Sequence, residues 1–215
     1  MSAIDFAVTD VQPKRHAAVP TLAATLHASV PAGEIVHSIA LRCQLRIEPQ
    51  RRRYAADEQA HLVDLFGETP RWGDTLKPFL WTHVTAMVPG FTRETDVELL
   101  IPCSYDFEVA ASKYFHALAD GDVPLLFLFS GTVFVRAEDG NGFSVEQVPW
   151  HKEARYRLPV SAWRDLMDLY FPNSGWLRLG RDTLDGLVRY KARHALPSWD
   201  DVIAALLRQS GDEAA

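Results

Sequence analysis

The 215-residue chain has only two cysteines, Cys43 and Cys103. It has no Cys-x-x-Cys pair, and its 8 histidines form neither His-x-His nor His-Glu-x-x-His. Because those spacings are typical of local metal sites, the sequence predicts no metal and no cofactor. Both cysteines lie in phase with apolar strand residues. This position favours buried free thiols, and a disulfide between the two cysteines is the open alternative.

The chain also lacks a long hydrophobic segment and a surplus of basic residues. Its apolar runs, such as residues 124–129, are much shorter than the roughly 20 residues that span a bilayer. Its N-terminus shows no basic and apolar signal sequence. The formal net charge is −6, whereas nucleic-acid binding requires a clustered basic surface. These absences predict a cytoplasmic protein without membrane insertion or nucleic-acid binding.

Motifs for nucleophilic catalysis and nucleotide binding are missing as well. Residues 130–132, Ser-Gly-Thr, do not form the Gly-x-Ser-x-Gly turn of a serine nucleophile. Neither a Walker motif nor a dinucleotide-binding glycine pattern occurs. The basic run at residues 51–53, Arg-Arg-Arg, is interpreted as a solvated loop, with a small basic patch as the alternative.

The composition is that of an ordinary globular protein. Hydrophobic residues make up 47% and charged residues 23% of the chain, so a full core can form. We expect a single domain over residues 1–215, with a sheet-rich part at 1–149 and a helical part at 150–210.

Alternating apolar and polar residues mark the strands. Residues 21–30 and 37–48 alternate over their full length and are joined by a short Pro/Gly turn at 31–34. This arrangement predicts a long antiparallel hairpin. Further strands are predicted at residues 6–8, 79–88, 97–103, 125–135 and 143–148, with a hairpin turn at 139–142 before the last one.

The stretch 101–136 predicts the centre of the fold. An apolar stripe with helical spacing occurs there, formed by Phe107, Ala110, Ala111, Tyr114, Phe115 and Leu118. The apolar run 125–135 follows it and predicts a central strand, where Gly131 indicates a bulge or a close backbone approach. With later helical stripes and a capping box at Ser198, the sequence predicts an α+β fold. It has an antiparallel sheet of about six strands, a covering helix after strand four and a helical C-terminal third.

Two groups of residues are candidates for function. Asp106 or Glu108 could act as a general base and His116 as its acid partner. Alternatively, these charges match the ends of a helix dipole. The second group comprises exposed aromatic and basic residues typical of binding hot spots: Trp72, Trp150, Trp163, Arg164 and Trp176. The alternative is that these tryptophans pack loops onto the sheet.

Four segments, residues 37–54, 64–81, 105–134 and 148–187, resemble an uncharacterised family associated with actinobacterial-type NiFe-hydrogenase gene clusters. The resemblance implies an accessory or assembly role for a metalloenzyme and transfers no functional residues. It favours a non-catalytic protein that binds a hydrogenase subunit or maturation partner. Homo-oligomerisation is left open.

A looser resemblance is to the secretion chaperone SecB, where long alternating strands also precede a helix. It implies that non-native clients bind in an apolar groove, here beside the helix at 107–118. The chain departs from SecB in its long helical C-terminal third. The other alternative is a small-molecule-binding protein or enzyme that uses Asp106, Glu108 and His116.

Overall fold

The computed structural model of the chain describes residues 3–106, 108–137, 142–175 and 177–211. It divides into two compact units, Met1–Trp176 and Leu177–Ala215. In chain order the described strands are β1 (Asp5–Pro13), β2 (Thr21–Ser29), β3 (Ile35–Ile47), β4 (Phe79–Val88), β5 (Phe91–Thr92), β6 (Glu94–Pro102), β7 (Asp122–Arg136), β8 (Phe143–Gln147) and β9 (Glu153–Pro159). The described α-helices are α1 (Ala56–His61), α2 (Val63–Phe66), α3 (Trp72–Thr75), α4 (Ala110–His116), α5 (Val160–Tyr170), α6 (Arg181–Arg193) and α7 (Trp199–Ser210).

The strands form two antiparallel sheets in the first unit, one of three strands and one of six, where the sequence predicted a single sheet of about six strands. The α+β class and the antiparallel pairing are confirmed. The first sheet has the order β1-β2-β6. The second has the order β4-β3-β7-β8, with β5 paired to β3 and β9 paired to β7. Apolar side chains of both sheets face a shared core, where the rings of Phe6 and Phe129 lie 4.7 Å apart between centroids.

The predicted hairpin between residues 21–30 and 37–48 is wrong. Both segments are strands, but β2 pairs with β1 and β6, whereas β3 pairs with β4 and β7. The turn at 31–34 therefore carries the chain from one sheet to the other. Each of the two strands has one buried face, and each pairs with two strands other than its predicted partner. Alternation therefore identified the strands but not their pairing.

β7 is the central strand of the second sheet, as predicted. It pairs with β3 along one edge, and β8 and β9 share the other. Gly131 has φ +144°, and a Cβ built there would lie 2.1 Å from the carbonyl oxygen of Ala40. The predicted close backbone approach at Gly131 is thereby confirmed.

The helix predicted in the central stretch is α4, which is shorter than expected and begins at Ala110. Tyr114 and Phe115 are fully buried in the core, while Phe107 lies outside the described residues. α4 follows the sixth strand and not the fourth. The predicted numbering left out the short strand at 6–8, which is part of β1, and β5 was not predicted. Residues 139–141 of the predicted hairpin turn also lie outside the described ranges.

The predicted helical part at 150–210 begins with a strand. β9 pairs with the first half of β7, and its residues Ala154, Tyr156 and Leu158 alternate with arginines. That alternation is the sequence signal for β9 that was missed. In the second unit, the capping box that starts α7 is confirmed, because Ser198 Oγ accepts a hydrogen bond from the N–H of Asp201 at 3.0 Å. No helix in the described ranges is long and apolar enough to cross a bilayer.

Candidate functional site

β8 is a free edge of the second sheet within the described residues. It pairs with β7, and no described strand pairs with its other side. The N–H of Val148 donates to the carbonyl oxygen of Gly131 at 2.9 Å, just beyond the strand. Because hydrogen-bonded and non-hydrogen-bonded pairs alternate in an antiparallel ladder, the outward-pointing backbone groups belong to Phe143, Val145 and Gln147.

The side chains beside this edge are apolar and exposed. Phe143 is 60% exposed and Val145 is 56% exposed. Phe134 lies opposite Val145 in the ladder, and its ring packs edge-on against Phe143 at 5.6 Å. We call Phe134, Phe143 and Val145 the edge patch. An open cavity of about 710 Å³ extends from this patch across the sheet to Met87 on β4, and it is lined by His37, Ser38, Met87, Phe134, Arg136, Gly142 and Phe143.

Among the described tryptophans of the predicted binding group, Trp150 is the one that lies exposed on the surface. It lies in the turn that follows β8 and is 92% exposed. Its ring contacts only the neighbouring His151 ring among the described aromatic pairs, at 5.8 Å. Trp150 therefore extends the exposed apolar surface at the C-terminal end of β8.

Trp72 is held against the protein. Its Nε1 donates to the carbonyl oxygen of Gly67 at 2.8 Å, and its ring packs edge-on against Tyr54 at 5.3 Å. These contacts support the alternative interpretation, in which Trp72 packs a loop onto the sheet.

Trp163 is buried and stacks on Phe115 at 5.1 Å. Its neighbour Arg164 donates a hydrogen bond to the carbonyl oxygen of Leu118. These contacts attach α5 to α4 and to the residues after it. Trp163 is buried and presents little to a partner, whereas Arg164 is exposed. Trp176 lies outside the described residues.

A second cavity, of about 360 Å³, brings together part of the predicted acid–base group. It lies beside α2 and α4 and is lined by His61, Asp64, Leu65, Glu108, Lys113, His116 and Ala117. We call it the polar cavity. Lys113 Nζ contacts Asp64 Oδ2 at 2.6 Å across it.

Asp106 is not part of that lining. Its Oδ1 accepts a hydrogen bond from the N–H of Glu108 at 2.9 Å, so it shapes the turn before α4. The structure thus places Glu108 and His116 at one cavity and leaves Asp106 in a structural position. It adds His61 and Asp64, which sequence spacing alone did not connect to the group.

The environment of His116 favours a neutral imidazole. Its ring lies 4.9 Å from the Tyr105 ring and 4.8 Å from the Trp163 ring. Burial, with a smaller contribution from the Arg164 cation, lowers the pKa of His116 below its ordinary value. A neutral imidazole can accept a proton, as a general base at this cavity would.

The lowered pKa of His116 predicts a pH-dependent stability. The unfolded chain binds a proton at His116 more readily than the folded chain does. The free energy of unfolding should therefore fall as the pH drops through the ordinary histidine pKa of about 6.5. Urea unfolding at about pH 7.5 and 5.5 measures the loss, and His116→Asn should make it smaller. An equal loss in the variant would contradict this assignment.

The two cysteines provide no nucleophile. Both are free and buried, which confirms the predicted free thiols. Burial raises the pKa of Cys43 and of Cys103 to about 12 each, so neither forms a thiolate near neutral pH. Among the described residues, no three or more His, Cys, Asp or Glu side chains are grouped to hold a metal ion.

Comparisons with known proteins give little beyond the family. Curated proteins yield no significant match. Among solved structures, the selenomethionine-labelled β-glucosidase from Kluyveromyces marxianus aligns at 8% identity with a TM-score of 0.28, over 73% of this chain and 15% of that one. The same enzyme in complex with glucose aligns at 7% identity with a TM-score of 0.24, again over 73% and 15%. Likeness at this level supports no conclusion about fold or activity. The family comparison is specific, because one family model matches residues 1–215, and the chain belongs to that family of unknown function, DUF6084.

Proposed function

We propose that this protein is a non-catalytic accessory protein that binds a partner protein by strand addition at β8. The observation that carries the proposal is an apolar, exposed edge patch beside an unpaired strand edge. Exposed apolar patches mark interaction surfaces, and natural sheets usually blunt such edges with charge or proline. β8 contains no proline, and its one charged residue, Glu146, is half-buried and alternates with the exposed Val145 and Gln147.

The geometry defines the segment that fits. An extended partner segment would pair with the outward backbone groups of Phe143, Val145 and Gln147, and its alternate apolar side chains would contact the edge patch. Arg136 and His37 line the cavity along that patch. An acidic residue beside the apolar positions of the partner would complement Arg136.

The resemblance to a family associated with NiFe-hydrogenase gene clusters supports a hydrogenase subunit or maturation factor as the partner. The SecB-like alternative is less well supported. Tyr114, Phe115 and Leu118, from α4 and the residues after it, are buried in the core. Five of the seven residues that line the cavity beside α4 are charged or polar. The exposed apolar surface lies at β8 instead.

Two variants test strand addition in a native pull-down with mass spectrometry. Val145→Pro removes an N–H that points away from β7, so it blocks an added strand and spares the ladder. Phe143→Glu places a charge in the edge patch. Each should lower the recovery of the partner by at least about tenfold, as expected for central interface residues.

The matched control is Leu100→Glu. It puts the same charge at an exposed apolar position on β6 of the first sheet, and partner recovery should stay at the wild-type level. Equal recovery with all three variants would refute binding at β8. A partner set without any hydrogenase component would refute the proposed partner alone.

A second candidate function is the binding of a small acidic or basic molecule in the polar cavity. It is favoured by the convergence of Glu108, His116 and His61 on one cavity. In this case the NMR signals of the His116 ring should shift on addition of metabolite mixtures. The shift should vanish in Glu108→Gln and persist in Phe143→Glu. Unchanged His116 signals across all mixtures would remove this candidate.

A further inference from the structure

The run of three arginines borders a third cavity, separate from the edge patch and the polar cavity. Its volume is about 570 Å³, and its lining residues are Gln50, Arg51, Arg52, Arg53, Gly121, Asp122 and Arg157. The volume lies in the roughly 300–1,000 Å³ range of small-molecule sites. Four arginines and one aspartate line this cavity, although the whole chain carries a net charge of −6.

The contacts of Arg52 fix the backbone around the cavity. The Arg52 side chain is 7% exposed, and its Nη2 contacts Glu58 Oε1 at 2.8 Å. The same nitrogen donates to the carbonyl oxygen of Asp120 at 3.1 Å, and the guanidinium lies 5.0 Å from the centre of the Tyr54 ring. These contacts tie residues 49–58 to the turn at 120–122. They hold the backbone on both sides of Arg52 in place.

The three other arginines keep donors for a ligand. Arg51 contacts Glu48 Oε2 through Nε at 3.1 Å, and Arg157 contacts Asp122 Oδ2 through Nε at 3.4 Å. Both contacts leave the outer Nη groups available. Arg53 is exposed and forms no ion pair with any residue in the described part of the chain.

We propose that Arg51, Arg53 and Arg157 bind a small molecule that carries two or more phosphate groups. Guanidinium forks match phosphate oxygens in geometry and form charge-assisted hydrogen bonds with them. Three such forks around one cavity exceed what a single phosphate needs, whereas linked phosphates can occupy all three. This site is independent of partner binding at β8.

Calorimetric titration with inorganic pyrophosphate, at constant ionic strength, tests the proposal. Pyrophosphate should bind saturably and at least about tenfold more tightly than orthophosphate. Arg53→Gln and Arg157→Gln should each weaken pyrophosphate binding by about tenfold, since each removes charge-assisted hydrogen bonds. Both arginines under test are exposed, so the two variants should fold, and thermal unfolding verifies this.

The matched control is Arg189→Gln, an exposed arginine on α6, which should bind pyrophosphate as the wild type does. Three outcomes would overturn the proposal. They are no saturable binding at millimolar pyrophosphate, an equal loss in Arg189→Gln, and binding of polyglutamate without binding of pyrophosphate. The last outcome would assign the cavity to an acidic protein segment.

Discussion

Replacing Arg52 with alanine should lower the free energy of unfolding by about 3–5 kcal/mol. Arg52 and Glu58 form an ion pair in which the two side chains are 7% and 5% exposed. Removing the cation leaves the Glu58 carboxylate buried, with only the N–H groups of Ala55 and Ala119 as hydrogen-bond donors. It also leaves the carbonyl oxygen of Asp120 without its guanidinium partner. Urea unfolding followed by tryptophan fluorescence measures the change.

Arg53→Ala is the matched control for this prediction. The neighbouring arginine is exposed and unpaired within the described residues, so its loss should change stability by at most about 0.5 kcal/mol. The double variant Arg52→Ala with Glu58→Ala should lose less than the sum of the two single changes, because the pair is coupled. A loss below about 1 kcal/mol for Arg52→Ala would contradict a structural role for the pair.

The arginine run shows what sequence spacing can and cannot predict. The sequence treats residues 51–53 as one solvated segment, and the exposed positions of Arg51 and Arg53 fit that interpretation. Arg52 does not, because its partners include the turn at 120–122, which is distant in the sequence. The burial of a charge depends on such non-local partners, and a charge count along the chain does not contain them.

The same distinction applies to the sheets. Alternation predicted the strands at 21–30, 37–48 and 79–88 because it reports a face, which is a local property. Pairing depends on which strand edges meet, which is not a local property, so the predicted hairpin between β2 and β3 was wrong. β9 pairs with only the first half of β7, so β8 can pair with the second half. The other side of β8 then has no described partner strand. Residues 143–148 were predicted as a strand, but their exposure could not be.

Some residues of the polar cavity could be predicted from the sequence, and others could not. Glu108 precedes α4 and His116 ends it, so the two residues are close in the sequence, and both line the cavity. His61 and Asp64 come from a separate helical segment, and their arrival beside α4 is a consequence of core packing. Here Phe66 of α2 contacts Tyr114 of α4 at 6.2 Å between ring centroids. The aromatic core thus positions the polar residues above it.

Gly131→Ala should be nearly as destabilising as Arg52→Ala, at about 3–5 kcal/mol, because two costs add. Gly131 has φ +144°, a backbone conformation that strains any residue with a Cβ. The added methyl would also lie 2.1 Å from the carbonyl oxygen of Ala40 in β3. That oxygen belongs to the backbone at the centre of the second sheet, so β3 and β7 would have to separate to relieve the collision.

Gly33→Ala separates the two costs. Gly33 has φ +95°, but no atom lies within 4 Å of a Cβ built there. It should therefore lose only the conformational part, about 1 kcal/mol. Chemical denaturation of both variants measures the difference, which is the cost of the collision. If the two variants lost equal free energy, the close approach of β3 to β7 would contribute nothing. Gly131 would then be required only for its backbone conformation. If Gly131→Ala lost more free energy of unfolding than Gly33→Ala, the difference would show that β3 can pair with the centre of β7 only because residue 131 has no side chain. This pairing keeps β8 at the open edge of the sheet, where the edge patch is exposed.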